Sequence, residues 1–283
     1  MTAGPSRAFL GPGPDRAAAQ KKPWLDICQT CDHALEPRRF SGCAVHNRRT
    51  CLIKTVIRNR ILNLLPDNER EVVLGRTELV AIQSREIVYK RDQPIRFAHF
   101  PEDCVISLVT ELEDGDLVEA MTVGNDGFAA IALFHGLPSS RLTAIGQITG
   151  ESRRIAAEDF RELIAACPDL YRLLHRYSQF VFETVSQSAA CNRLHVIEQR
   201  CARWLLMSQD RVGRDRFDLT QEFLAAMLGV RRPGVTVAMG ALEKAGLITH
   251  GRGNITVVNR AGLENASCEC YRTIRARQSQ LMA

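Results

Sequence analysis

Apolar positions change their period several times along this chain. Between residues 56 and 65, Ile57, Ile61, Leu64 and Leu65 follow helical spacing, and Pro66-Asp67-Asn68 closes the helix. A short second helix is predicted over 69–74. From 79 to 155 the text reads as strands. EIVYK, RFAHF, VISLVTEL, LVEAMTV and AIGQIT are rich in Val, Ile, Thr and aromatic residues. Arg91-Asp92-Gln93-Pro94, Asp114-Gly115 and Gly124-Asn125-Asp126-Gly127 separate them as turns. Asp-Gly between two alternating runs predicts a hairpin, because both residues tolerate positive φ. Many short strands at this spacing predict a compact β-barrel or roll.

Helical period returns over 158–166 and, after Pro168, over 169–192. In the second stretch Leu170, Leu174, Tyr177, Val181, Thr184, Ser188 and Cys191 alternate steps of four and three, the spacing of a coiled-coil seam. Its apolar half, Leu170, Leu174, Tyr177 and Val181, is expected to meet a second copy; the other reading is an ordinary core-facing helix. A further helix is predicted over 196–209, ending at Asp210-Arg211-Val212-Gly213.

The segment 218–258 carries the chemistry. Thr220 or Asp218 caps a helix that runs from Gln221 to Leu228. Gly229 permits a sharp turn into a second helix, and Pro233 sits in that helix's first turn, where its missing N–H costs nothing. Val235, Met239 and Leu242 bury one face; Arg231, Arg232, Thr236 and Gly240 stay outside. Leu247-Ile248 starts a strand, His250-Gly251-Arg252-Gly253-Asn254 is a hairpin tip, and residues 255–258 return. This order is a helix-turn-helix followed by a wing. A DNA major groove admits one helix, whose N-terminal residues reach base edges, and the arginine fork matches guanine. Arg231 and Arg232 stand at that end. Thr220 and Gln221 open the first helix, where side chains and backbone N–H groups grip phosphate. Arg252, flanked by glycines, reaches phosphate from the wing.

Composition narrows the remaining choices. The 283 residues are 45% apolar, enough for folded cores, yet no apolar run approaches the ~20 residues of a membrane span. The first residues lack an apolar signal region, so a cytoplasmic protein without membrane contact is expected. Charge is uneven: 8 basic and 4 acidic residues in 1–50, 18 and 22 in 51–210, and 11 and 6 in 211–283. A basic C-terminal segment suits contact with nucleic acid. No nucleophile-elbow, phosphate-loop or zinc-protease motif is present, so no enzyme is expected.

Ten cysteines are present. Cys28-x-x-Cys31, Cys43-x-x-His46 and Cys51 lie in a segment without periodicity. Three readings stand for them: a poorly ordered extension, a zinc site, or an iron–sulfur cluster. Neighbouring Arg38-Arg39 and Arg48-Arg49 favour thiolates. Cys104, Cys167, Cys191, Cys201, Cys268 and Cys270 are read as small buried hydrophobes.

The roll segments EIVYKRDQPIRFAHF and VEAMTVGNDGFAAIALF, the helix text CNRLHVIEQRCARWLL, and QEFLAAMLGVRRPGVTVAMGALEKAGLI resemble the cyclic-AMP receptor/fumarate–nitrate-reductase regulator (CRP/FNR) family of bacterial transcription factors over about residues 56–272. The ending ASCECYR resembles a subgroup of it. The resemblance implies an α+β chain. Its parts are a poorly ordered extension over 1–55, a cyclic-nucleotide-binding-like jelly roll with a long dimerisation helix over 56–193, and a winged helix-turn-helix over 194–283. It implies a homodimer on a palindromic operator, with double-stranded DNA, a second copy and RNA polymerase as partners. The alternative is a ligand- or redox-sensing module that acts through protein contacts without binding DNA. Arg232 falls where the family has a DNA-contacting arginine. Pro233 and Val237 replace two base-reading family residues, so the family's operator is not carried over. In the effector pocket, Gly127, Ala129, Ala130, Arg141 and Ser186 are the candidates; Ala129, Ala130 and Arg141 match family positions, and Ser186 has the alternative reading of a helix-packing residue. Ala129 and Ala130 stand where nucleotide-binding members hold the ribose, and Leu142 follows Arg141 where a serine is needed, so a cyclic nucleotide is not expected. Oxygen-sensing members carry an iron–sulfur cluster on N-terminal cysteines and one from the roll; Cys104 is the only roll cysteine here, and Arg154 takes the usual position.

Overall fold

The computed structural model describes residues 56–281 except 114 and 252. The N-terminal candidates Cys28, Cys31, Cys43, His46 and Cys51 lie outside the described residues.

The first expected helix is reduced to one turn, α1 (Arg60–Asn63). Asn59 sets its start: the side-chain oxygen accepts from Leu62 N–H, while the amide donates to the carbonyls of Pro101 (3.0 Å) and Gly127 (2.8 Å). Asn59 is thereby both a helix cap and a tie into the roll. Helix α2 (Asp67–Gly75) follows. Its Glu69 is buried and accepts from the backbone N–H groups of Asp169 (3.1 Å) and Leu170 (2.9 Å). A carboxylate at that point answers the orphan donors of a long helix whose own N-cap, Cys167, makes no side-chain bond.

The alternating segments form a roll of two antiparallel sheets. β1 (Glu78–Ile82), β7 (Gly150–Ala156) and β3 (Phe97–Pro101) make one, in that order. β2 (Ile87–Tyr89), β6 (Thr143–Ile148), β4 (Val105–Glu111) and β5 (Leu117–Val123) make the other. The β4–β5 hairpin closes through Gly115 at φ +81°, as the Asp-Gly signal predicts, with Glu111 opposite Leu117. One helical turn, α3 (Ile131–Phe134), lies between β5 and β6. Four aromatic rings fill the interior: Phe128 stacks on Phe100 (5.6 Å between centroids) and meets Phe160 (5.8 Å) and Tyr177 (5.4 Å).

Helix α4 (Ala157–Ala166) leads to α5 (Pro168–Leu194), whose 27 residues span about 40 Å at 1.5 Å per residue. The expected seam is corrected here. Leu170, Leu174 and Tyr177 are at most 1% exposed and Val181 packs partly buried against the same core, so this face meets the chain's own roll. The exposed stripe lies one residue further on. Tyr171, His175, Ser178, Phe182, Val185, Ala189 and Asn192 also step by four and three, with Phe182 68% exposed.

The remainder is α6 (Ile197–Val212), β8 (Arg216–Asp218), α7 (Gln221–Leu228), α8 (Arg232–Lys244), β9 (Ile248–His250), β10 (Asn254–Val257), α9 (Arg260–Ala266) and α10 (Cys270–Leu281). Strand β8, absent from the expected order, flanks β10 opposite β9.

Roll and winged helix join through polar contacts. Arg211 on α6 pairs with Asp126 at 3.1 Å, both nearly sealed from water, and also donates to Thr122. Gly124 lies beneath that arginine, and any Cβ there would strike its side chain at 2.5 Å. Trp204 N–H donates to Glu119 (3.2 Å), and Gln147 donates to Ser208 (3.3 Å).

Glu119 gives this junction a pH dependence. Burial pushes its carboxyl up to about 7 against the hydrogen bonds of Ser107 and Trp204 and the charges of Arg211 and Arg203. The Ser107 hydroxyl has one proton but two neighbours, Glu119 Oε2 at 2.8 Å and Gln147 Oε1 at 2.7 Å. A protonated Glu119 satisfies both by donating to Ser107 while Ser107 donates to Gln147. An acid whose folded value is raised stabilises the fold at low pH and loses that contribution as pH climbs through about 7. Urea midpoints should therefore fall between pH 5 and 8, and Glu119→Gln should flatten that fall. An identical slope in the variant would remove Glu119 as the source.

Candidate nucleic-acid interface

Thr220 caps α7 as the sequence predicts, accepting from Phe223 N–H at 3.2 Å. Gly229 ends α7 at φ +62°, and the chain turns directly into α8 with Arg231 as N-cap and Pro233 in the first turn. Leu224, Ala225, Met227 and Leu228 of α7 pack on Val235, Ala238, Met239 and Leu242 of α8 to make the reader's core.

Burial on that side leaves a defined outer face on α8. Arg231, Arg232, Thr236, Val237 and Gly240 are exposed, the first two at the N-terminal end. Past the arginines the face is uncharged and low: Thr236, Val237 (66% exposed), Gly240 and Ala241. A helix needs such a surface to lie deep in a groove. Val237, which the resemblance puts at a base-reading position of the family but which is not among the DNA-contact candidates, is exposed on this face. A bare methyl pair there matches a thymine methyl.

Thr236 and Gln221 are brought together. The threonine hydroxyl donates to Gln221 Oε1 at 2.8 Å across the two helices. The same hydroxyl lies 3.2 Å from the Arg232 carbonyl, and with Oε1 facing Thr236 the glutamine's amide N–H₂ is the donor left for a phosphate. Thr220, Gln221, Arg232, His250, Gly251, Gly253 and Asn254 line one groove of about 420 Å³ between the helix starts and the wing. The wing is fixed to the reader by Glu243, which accepts from His250 N–H (3.2 Å) and stands 3.3 Å from its ring, and by Leu219 N–H donating to Gly253 (2.8 Å). Arg252, expected to reach phosphate from the tip, lies outside the described residues.

The five effector candidates are not gathered around one cavity. Gly127 is pressed against Tyr177, whose hydroxyl would stand 2.0 Å from any Cβ, and Ala129 and Ala130 are fully buried. Arg141 is 77% exposed and turns to Asp92 at 3.2 Å. Ser186 is on the outer face of α5, donating to Phe182 O at 2.8 Å. The aromatic rings described above take the interior space, and Asp92 already answers the arginine's charge.

All six cysteines among the described residues are buried, as expected. Cys104, Cys167 and Cys201 are buried singly. Cys191, Cys268 and Cys270 instead meet one another and His195, from opposite ends of the C-terminal half. The signal was available in the sequence: Cys191 and His195 are one helical turn apart, and Cys268-x-Cys270 is a two-ligand spacing.

Residues 199–266 match the model of the Crp-like helix-turn-helix domain. No curated protein matches the chain. Among solved structures, FixK2 from Bradyrhizobium japonicum is similar at TM-score 0.55 and 17% identity, over 68% of this chain and 98% of that one. The CRP-family transcriptional regulator TTHB099 from Thermus thermophilus is similar at 0.53 and 19%, over 66% and 96%. The c-di-GMP-responsive global regulator CLP of Xanthomonas campestris is similar at 0.54 and 16%, over 68% and 99%. Residues 199–266 therefore form a Crp-like helix-turn-helix domain, and the chain, a roll of two sheets joined by a long helix to that domain, shares its fold with these solved structures.

Proposed function

We propose that the chain regulates transcription as a homodimer, each copy placing α8 in the major groove of one half of a palindromic operator. The observation that carries this reading is the outer face of α8: two arginines at its N-terminal end, then a low uncharged stripe, beside a groove lined by Gln221, Arg232 and the wing. Thr220, Gln221 and Arg252 grip phosphate; Arg231, Arg232, Thr236 and Val237 face base edges. The second copy meets the exposed α5 stripe centred on Phe182, Val185 and Ala189, whose four-and-three spacing is that of a two-helix seam. Half-sites would then lie about one DNA turn apart. The working compartment is the cytoplasm, where such a dimer bound near a promoter meets RNA polymerase. No helix among the described residues is long and apolar enough to cross a membrane.

The test starts from selection of bound sequences out of a random DNA pool. Against the selected operator, Arg232→Ala should cost about 1–3 kcal/mol and relax preference at one base position. Arg252→Ala should weaken binding to all sequences alike and lower the salt slope by about one. Unchanged affinity and preference in Arg232→Ala would defeat this docking.

A further inference from the structure

Three thiols and one imidazole converge where α5 ends and α10 begins. Cys191 is on the last turn of α5 and His195 is its C-cap; Cys268 and Cys270 bracket the start of α10. Their ligand atoms all lie within 4.8 Å of one another. Cys191 Sγ is 3.5 Å from Cys268 Sγ, and Cys270 Sγ is 3.6 Å from His195 Nδ1. The three cysteines are at most 2% exposed.

Tetrahedral zinc with ordinary bond lengths sets two sulfur ligands about 3.8 Å apart and a sulfur and a nitrogen about 3.6 Å apart. The Cys191–Cys268 edge of 3.5 Å and the Cys270–His195 edge of 3.6 Å are close to these lengths, and every other edge is within 4.8 Å. Ligands around a multi-iron cluster stand farther apart, so the envelope suits a single ion.

The surroundings agree. His195 Nε2 is 3.2 Å from the Glu269 carboxylate. A proton held on Nε2 by that carboxylate leaves the Nδ1 lone pair aimed at the thiols, the arrangement that orients metal-binding imidazoles. Gln187 N–H₂ donates to Cys270 Sγ at 3.1 Å, a bond that favours thiolate. Three thiolates and a divalent ion carry a net charge of −1. Arg200 and Arg203, whose charges reach Cys191 and Cys268, are buried with Nε unpartnered and form no ion pair among the described residues. A negative centre beside them supplies counter-charge to Arg200 directly and to Arg203 in addition to the more distant Glu119. Buried thiols that served only as packing would need neither the carboxylate-held imidazole nor the cations.

We propose that Cys191, His195, Cys268 and Cys270 form a binding site for one thiophilic divalent cation, of the zinc class, with Glu269 positioning the histidine. Binding exchanges the thiol protons for the metal with no change of oxidation state. The ion would join the end of the long helix to the segment that follows the wing, and so fix the reader to the helix that carries the partner face. The assignment goes beyond DNA binding and is tested without DNA.

The experiment uses the full-length chain with Cys28→Ser, Cys31→Ser, Cys43→Ser and Cys51→Ser, so that N-terminal thiols cannot contribute. After reduction and dialysis against zinc, about one equivalent per chain should remain. Cobalt(II) in its place should show thiolate charge transfer and the intense visible bands of a tetrahedral site. X-ray absorption should find three sulfurs at about 2.3 Å and one nitrogen at about 2.0 Å. Adding Cys268→Ser and Cys270→Ser should reduce zinc content at least tenfold, and Glu269→Gln should weaken affinity 10–100-fold while the tetrahedral spectrum persists. Because buried cysteine variants can misfold, the absorption shell of the parent chain decides independently of them. A reduced parent that binds no zinc, or one whose shell lacks the three sulfurs, overturns the proposal. So does a parent that yields only a Cys191–Cys268 disulfide on mild oxidation and takes up no ion when reduced.

Discussion

Phe182→Glu is expected to convert the proposed dimer to a monomer and to lower affinity for the proposed palindromic operator by about 10²–10⁴-fold, the advantage that a second linked contact confers. Phe182 is the most exposed large apolar side chain of α5's outer stripe. A glutamate there would set two like charges across a two-fold axis. Leu174→Glu, in the register first expected to form the seam, should behave differently: Leu174 is wholly buried in the roll, so that variant should unfold the chain rather than dissociate it. Sedimentation velocity with circular dichroism separates the two outcomes. A Phe182→Glu chain that remains a dimer at micromolar concentration would move the interface elsewhere.

The second large effect concerns the Arg211–Asp126 pair. Burial alone would raise the Asp126 carboxyl; the charge and hydrogen bonds of Arg211 outweigh it and leave the group below the ordinary carboxylate value. Asp126 also accepts from Gly124 N–H (3.0 Å) and Gln278 (2.8 Å), so one carboxylate ties the β5 turn, α6 and α10. Arg211→Ala removes its only ion-pair partner among the described residues and should cost about 3–5 kcal/mol in urea unfolding. Arg211→Met with Asp126→Leu should recover most of that, because no charge is then left stranded. If the single change costs under about 1 kcal/mol, the pair is more hydrated than its surroundings imply.

The reader was legible almost residue by residue. A cap, a turn glycine, a first-turn proline and a Gly-flanked tip are local chemistry, and each fixed its own position without help from the rest of the chain. The strand content of the roll was legible for the same reason, through alternation and the Asp-Gly turn. What escaped was non-local. Two heptad registers lie side by side on α5, and the richer one, Leu170, Leu174 and Tyr177, invites assignment to a partner; only the presence of the roll shows that it is needed at home. Spacing cannot decide between two apolar surfaces that compete for one stripe. The Cys/His cluster escaped because its halves are 73 residues apart between His195 and Cys268, and each half alone looks like packing. Strand β8 escaped because three residues, Arg216–Asp218, show no period until β10 lies beside them.

The one-residue offset between the two faces of α5 makes the helix intolerant of changes in length. Each inserted or deleted residue turns everything beyond it by about 100° and shifts it by 1.5 Å. A single insertion near Ser186 would leave the roll packed as before but swing Ala189, Cys191 and the whole reader around the axis, out of phase with Phe182 and with the opposite half of any symmetric site. The 27-residue helix therefore works as a ruler. Variation in length among chains that share this arrangement should accumulate in hairpins such as β4–β5, and the distance between half-sites in the genome should stay fixed with it.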